Sequence, residues 1–278
     1  MHEIQFQLLA CQVSLQFEDP DLRDQLAYIA VAAAQALTPT KQLAYTITGC
    51  GTYTICESGD LLGEVGSMED VVYVIYRRIY QRTLTRYAMA GWIVLHGGLA
   101  SIAGRRCLFL GDKGAGKTTL MTHLMLAGHQ FEGDELVLVR RGTAMACPRR
   151  LHLKPGFTTL APELAATEGS LPGSRGNDQI IRALDPTDLG YEWAIPAGAP
   201  DEIIWISPNH GGASTLQPLP VFAILQHLLK SDMGWGTTRS RLVEYASGLS
   251  ARGGLELTLG NPGEALTLLE KHAAVDAR

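Results

Sequence analysis

The chain has 278 residues, 46% of them hydrophobic, 18% charged and 7% aromatic, with a formal net charge of −5. That length buries one large core or two modest ones, and the acidic balance gives no electrostatic reason to expect nucleic acid or an anionic membrane as partner. Five cysteines without a C-x-x-C pair argue against a disulfide framework and a zinc site, so the expected compartment is the cytoplasm.

Residues 1–89 read as a small α+β unit. EIQFQLLACQVSLQF is strand-like, and the start MHEIQFQLLACQ lacks the basic opening and cleavage site of a signal peptide. DPDLRDQLAYIAVAAAQAL reads as one helix with Asp19 as N-cap and Pro20 in its first turn. Its apolar part, Leu26 to Leu37, is too short to cross a bilayer and reads as packed. LAYTITGCGTYTICES alternates on both sides of Gly49-Cys50-Gly51, a hairpin pattern. SMEDVVYVIYRRIYQRTL opens a second helix, capped by Ser67 with Asp70 three residues on, and Val72, Ile75, Tyr76 and Ile79 form its apolar stripe. Each cysteine reads as a small buried apolar residue.

Residues 90–278 read as a second unit of short strands and glycines. LASIA and CLFL are strands joined at Gly104-Arg105, and a helix runs from Lys117 to about Gly128. ELVLVR and TAMAC form a hairpin around Arg141-Gly142, and LHLK, QIIRAL and EIIWIS read as strands. The Gly/Ser-rich stretch from about Ala165 to Asn177 reads as a mobile loop. LPVFAILQHLLK and RSRLVEYASGL read as helices, followed by the strand LELTLG and the helix PGEALTLLEKH. Arg105, Arg106, Arg140 and Arg141 fall at outer turns and read as solvated charge.

Gly111-Asp112-Lys113-Gly114-Ala115-Gly116-Lys117-Thr118, followed by Thr119, carries the pattern G-x-x-x-x-G-K-[ST] between a strand and a helix. Backbone N–H groups of such a loop wrap a nucleotide's phosphates, Lys117 neutralises the β- and γ-phosphates, and the Thr118 hydroxyl is placed on Mg²⁺. Pairing the upstream strands about Gly104-Arg105 sets His96 opposite Lys113, beside the loop. There it either meets a phosphate oxygen or is a strand-end histidine satisfied by backbone. Asp134 and Glu135 precede a strand as an acidic pair, as a carboxylate for Mg²⁺ and one near an acceptor hydroxyl would. Pairing about Arg141-Gly142 returns Arg149 or Arg150 towards Asp134, where one, taken as Arg149, clamps a transferring phosphate or simply stays solvated.

The run from Leu95 to Val139, LHGGLASIAGRRCLFLGDKGAGKTTLMTHLMLAGHQFEGDELVLV, resembles the catalytic core of HPr kinase/phosphorylase and its stand-alone relatives. The shared features are a His-Gly strand, a glycine hairpin, a phosphate loop, then Gly-His and an acidic pair. The chain departs from that pattern at Lys117-Thr118-Thr119 in place of Lys-Ser-Glu, at Glu135 in place of a second Asp, and in lacking a recognisable Met-Arg-Gly signature. The resemblance implies an α/β fold, a mixed-sheet kinase domain of the HPr kinase and phosphoenolpyruvate carboxykinase type, preceded here by the small α+β unit. It further implies that His96 assists at the phosphates, that Lys117 and Thr118 bind ATP and Mg²⁺, that Asp134 is the acid/base and that Glu135 supports the metal. The implied reaction moves the γ-phosphate of ATP onto a hydroxyl, a serine of a protein or peptide, which the N-terminal unit would present. A homo-oligomer stays open. A nucleotide-binding switch or ATPase without a phosphorylated product is the alternative, and a carboxykinase-like small-molecule enzyme is weakened by the lack of a cluster resembling that family's additional metal ligands.

Overall fold

The computed structural model describes residues 1–35, 37–154, 164, 182–236, 238–251 and 253–275. The stretch read as a loop over 165–177 and residues 179–181 of QIIRAL lie outside them.

The N-terminal unit comprises β1 (His2–Leu8), β2 (Cys11–Phe17), α1 (Leu22–Ala27), β3 (Ala34–Gln35), β4 (Lys41–Thr48), β5 (Tyr53–Glu57), β6 (Asp60–Val65) and α2 (Met68–Met89). Its sheet runs β1-β2-β4-β5-β6, antiparallel except for the parallel β2–β4 pair. Cys11, Val13, Leu15 and Phe17 on β2, and Leu43, Tyr45 and Ile47 on β4, are buried at every second position, so one face meets the core. Ser67 caps α2 as its spacing predicts, accepting from the Asp70 N–H at 3.2 Å and donating to the Asp70 carboxylate at 2.9 Å. Cys50, expected inside, is exposed near the β4–β5 turn.

The first predicted helix stops early. Only Leu22–Ala27 is helical; the Ala-rich continuation leaves the helix and crosses to the C-terminal half. There the Ala32 N–H finds the Asp185 carboxylate (3.2 Å), the Ala34 N–H finds the Trp193 carbonyl (2.7 Å), and β3 pairs in parallel with Ala194–Ile195. Tertiary hydrogen bonds thus outcompete alanine's helix propensity. The crossing ties the two halves together, and buried side chains from both belong to one continuous core.

The C-terminal half contains β7 (Ile93–Leu95), β8 (Gly97–Ile102), β9 (Arg105–Gly111), α3 (Lys117–Leu126), β10 (Gln130–Gly133), β11 (Val137–Arg140) and β12 (Thr143–Ala146). It continues with β13 (Leu151–Leu153), β14 (Arg182–Leu184), β15 (Ala194–Ile195), β16 (Glu202–Pro208), β17 (Thr215–Leu219), α4 (Val221–Lys230), α5 (Arg239–Ser250), β18 (Gly254–Leu259) and α6 (Pro262–Val275). Six strands form a mixed sheet ordered β10-β8-β9-β16-β18-β17, in which only β9–β16 and β16–β18 are parallel. The strand that leads into the glycine-rich loop before α3, β9, therefore has an antiparallel neighbour on one side and a parallel one on the other. A doubly wound sheet would surround it with parallel strands.

The β8–β9 register differs from expectation by two residues. Ile102 pairs with Arg105 and Gly97 with Leu110, so the turn is Ala103-Gly104, both at positive φ (49° and 82°). A tight hairpin turn with that backbone matches strand twist, and Ala103 accepts the left-handed conformation to provide it. The register carries position 96 towards Gly111, not Lys113.

Arg106 is a second correction. It is buried, and its guanidinium grips Glu132, which is 0% exposed, at 2.6–3.0 Å and also reaches the Gly198 and Pro196 carbonyls. Neither partner has water to fall back on. We expect Glu132→Ala to cost about 3–5 kcal/mol in urea unfolding, because it strands a buried guanidinium, and Arg106→Met with Glu132→Leu to recover most of that. A loss below about 1 kcal/mol would mean that the pair is wet.

Candidate phosphate-binding and acidic site

β9 ends at Gly111, and the chain turns through Asp112–Gly116 into α3. Gly114 and Gly116 take φ of 84° and 93°, where a side chain would be strained, and a Cβ on Gly116 would lie 2.6 Å from the Leu259 side chain. Gly116 is the N-cap of α3 and offers no side-chain cap, so the first-turn N–H groups stay available to an anion. Lys117 is buried and folds back over the loop, donating to the Gly111 (2.8 Å) and Asp112 (3.0 Å) carbonyls. Asp112 faces outward and pairs with Lys230 at the end of α4, 2.7 Å away. Lys113 is exposed and Ala115 buried, while Thr119 is half-buried in the first turn of α3.

Asp134 follows β10 and meets the first turn of α3. Its Oδ2 accepts from the Thr118 hydroxyl at 2.5 Å; its Oδ1 is buried without a partner among the described residues, and the residue is only 4% exposed. Burial raises the Asp134 carboxyl above its ordinary value, against the opposing pulls of Thr118, Lys117, His96 and Arg149. Those opposing groups name the cluster. His96 sits where the chain leaves β7, in a sheet with β11, and enters β8 of the main sheet; its N–H donates to the Ser231 carbonyl at 2.7 Å. Burial lowers the His96 imidazole, reinforced by Lys117, so the ring is neutral at pH 7.

The β11–β12 register, Val137 with Ala146 and Arg140 with Thr143, extrapolates to Asp134 opposite Arg149. Arg149 is 17% exposed at the side chain and ion-paired with Glu135. Its Nε is buried and has no hydrogen-bond partner among the described residues. Arg150 points elsewhere, towards Asp188 and the Ala30 carbonyl. Glu135 holds a left-handed backbone, φ 71°, uncommon for a residue with a side chain. The structure thus gathers His96, Lys117, Thr118, Asp134, Glu135 and Arg149 around the start of α3.

Three residues absent from the sequence reading belong to this neighbourhood. Lys154 is close enough to depress both His96 and Lys117. His152 accepts from the Arg149 guanidinium, and Tyr28 reaches His152 from the N-terminal unit. No local pattern marks them; His152 alternates with Leu151 and Leu153 like any strand residue. A cavity of about 760 Å³ lies apart from the site, lined by Arg78, Arg82, Arg86, Lys41 and Glu57 under α2. Among the described residues no helix is long and apolar enough to cross a membrane, and no three His, Cys, Asp or Glu side chains gather as a metal cage.

No protein-family model matches the chain, and no curated protein matches it. Among solved structures, the HPr(Ser) kinase/phosphatase from Coxiella burnetii is similar at 12% identity, over 66% of this chain and 99% of that one, with a TM-score of 0.35. At that level the likeness assigns neither family nor activity.

Proposed function

We propose that the chain is a Mg²⁺-dependent kinase that transfers the γ-phosphate of ATP to a hydroxyl, a serine of a protein or peptide. The observation that carries this reading is the meeting of the phosphate-loop threonine with a buried, half-satisfied carboxylate. The Thr118 hydroxyl and the unpartnered Asp134 Oδ1 are hard oxygen donors on adjacent elements, the donor chemistry that Mg²⁺ takes alongside phosphate oxygens. Thr118 and Asp134 would hold the ion, which when bound neutralises phosphate charge. Glu135 is the proposed further metal ligand, in exchange with its pairing to Arg149.

The remaining work falls to side chains. Lys117 leaves the loop carbonyls for the β- and γ-phosphates. Asp134 accepts the proton of the acceptor hydroxyl as the hydroxyl oxygen bonds to the γ-phosphorus and the bond to ADP breaks. Arg149 and neutral His96 donate to the spreading charge on the transferring group. An ATPase needs the same loop and metal carboxylate, so the test must follow the phosphate. With γ-labelled ATP and a cell lysate, label should enter a polypeptide in a Lys117-dependent way. Free phosphate alone would replace the kinase reading with the ATPase.

A further inference from the structure

We propose that Tyr28 and His152 are positioning residues that hold Arg149 at the phosphate site, so that the N-terminal unit supplies part of the transfer geometry. This rests on the reading of Arg149 as a phosphate clamp.

Arginine has only donors, so its Nη2, 2.6 Å from His152 Nδ1, must point at a lone pair. A neutral imidazole with that acceptor carries its proton on Nε2, which then donates to the Tyr28 oxygen 2.6 Å away. The chain of contacts runs Tyr28–His152–Arg149–Glu135, from α1's exit to the acidic pair. The rings of Tyr28 and His152 stack at 5.9 Å, the Arg149 guanidinium lies 5.8 Å from the centre of the Tyr76 ring, and the Tyr80 hydroxyl donates to the Pro148 carbonyl at 2.9 Å. Tyr28, Tyr76 and Tyr80 all come from the N-terminal unit.

The chemistry suits a fixed support. Burial holds His152 well below the ordinary imidazole range and lifts the Tyr28 phenol to about 12, so neither changes charge near neutrality. A long side chain with many rotamers is thereby confined at one guanidinium nitrogen and beside the face of Tyr76.

The test uses the full chain with Mg·ATP, water serving as the acceptor, and reads kcat and nucleotide affinity separately. Arg149→Met and His152→Gln should each lower kcat roughly 10- to 100-fold with nucleotide affinity changed less than about threefold. His152→Asn should stay nearer wild type, because its amide oxygen falls near the Nδ1 position and still accepts from Arg149, whereas Gln reaches the Nε2 position. His152→Gln should add nothing to Arg149→Met, since it acts through that arginine. Tyr28→Phe, the mildest change should a His152 variant fail to fold, should lower kcat in the wild type and leave Arg149→Met unaffected. Imidazole ¹⁵N shifts should show Nδ1 unprotonated in the wild type and mixed tautomers in Arg149→Met. Additive losses, equal damage from Asn and Gln, or a normal kcat in both His152→Gln and Tyr28→Phe would overturn the positioning role. An unchanged Arg149→Met would instead overturn the clamp on which it rests.

Discussion

Lys117→Ala should lower Mg·ATP-dependent turnover by roughly 10²–10³-fold, the usual cost of losing one preorganised donor to a transferring phosphate. The structure adds a second effect. Lys117 is buried and its ammonium bridges the Gly111 and Asp112 carbonyls, so alanine also leaves two acceptors of the loop without that donor. A stability loss of about 1–3 kcal/mol should accompany the kinetic one. Measuring turnover at saturating Mg·ATP below the melting range separates the two. Full activity there would overturn the phosphate-loop assignment.

The loop was legible because its chemistry is local: glycines at Gly114 and Gly116 license backbone angles that few residues share, and the strand and helix on either side are contiguous in sequence. Asp134 and Arg149 were legible for a related reason, since a two-residue turn at Arg141-Gly142 makes their opposition a matter of counting. The same counting failed at β8–β9 only because Ala103, not Arg105, shares the turn with Gly104. What stayed hidden depends on distant partners. Arg106 looked solvated until Glu132 arrived from another strand, and the Ala-rich helix looked continuous until Asp185 and Trp193 claimed its backbone. Tyr28 and His152 are 124 positions apart, so no spacing rule could have joined them to Arg149. Sequence periodicity captures which face is buried; it carries no record of which polar groups meet inside.

Asp134→Asn should leave the shape of the site and the contact to Thr118 in place while removing the base. If Asp134 accepts the hydroxyl proton, phosphoryl transfer should fall by roughly 10²–10⁴-fold with little change in nucleotide affinity, which Lys117 and the loop amides dominate. Its contact with Thr118 makes a second component testable. The carboxylate that accepts from the Thr118 hydroxyl at 2.5 Å also stands where it would hold Mg²⁺, and its other oxygen is buried without a hydrogen-bond partner among the described residues. A metal-holding role predicts weaker Mg·ATP affinity as well, with partial rescue of the rate by added Mg²⁺. Folding stability provides the control. Burial raises the carboxyl's value in the folded chain, so its ionised form is less favoured there than in the unfolded one. Removing the charge should therefore leave stability unchanged or higher at neutral pH, and the gap over wild type should narrow as pH falls through the carboxylate range. Near-normal transfer in the stable variant would show that Asp134 neither accepts the proton nor holds the metal, and the mechanism proposed here would be wrong.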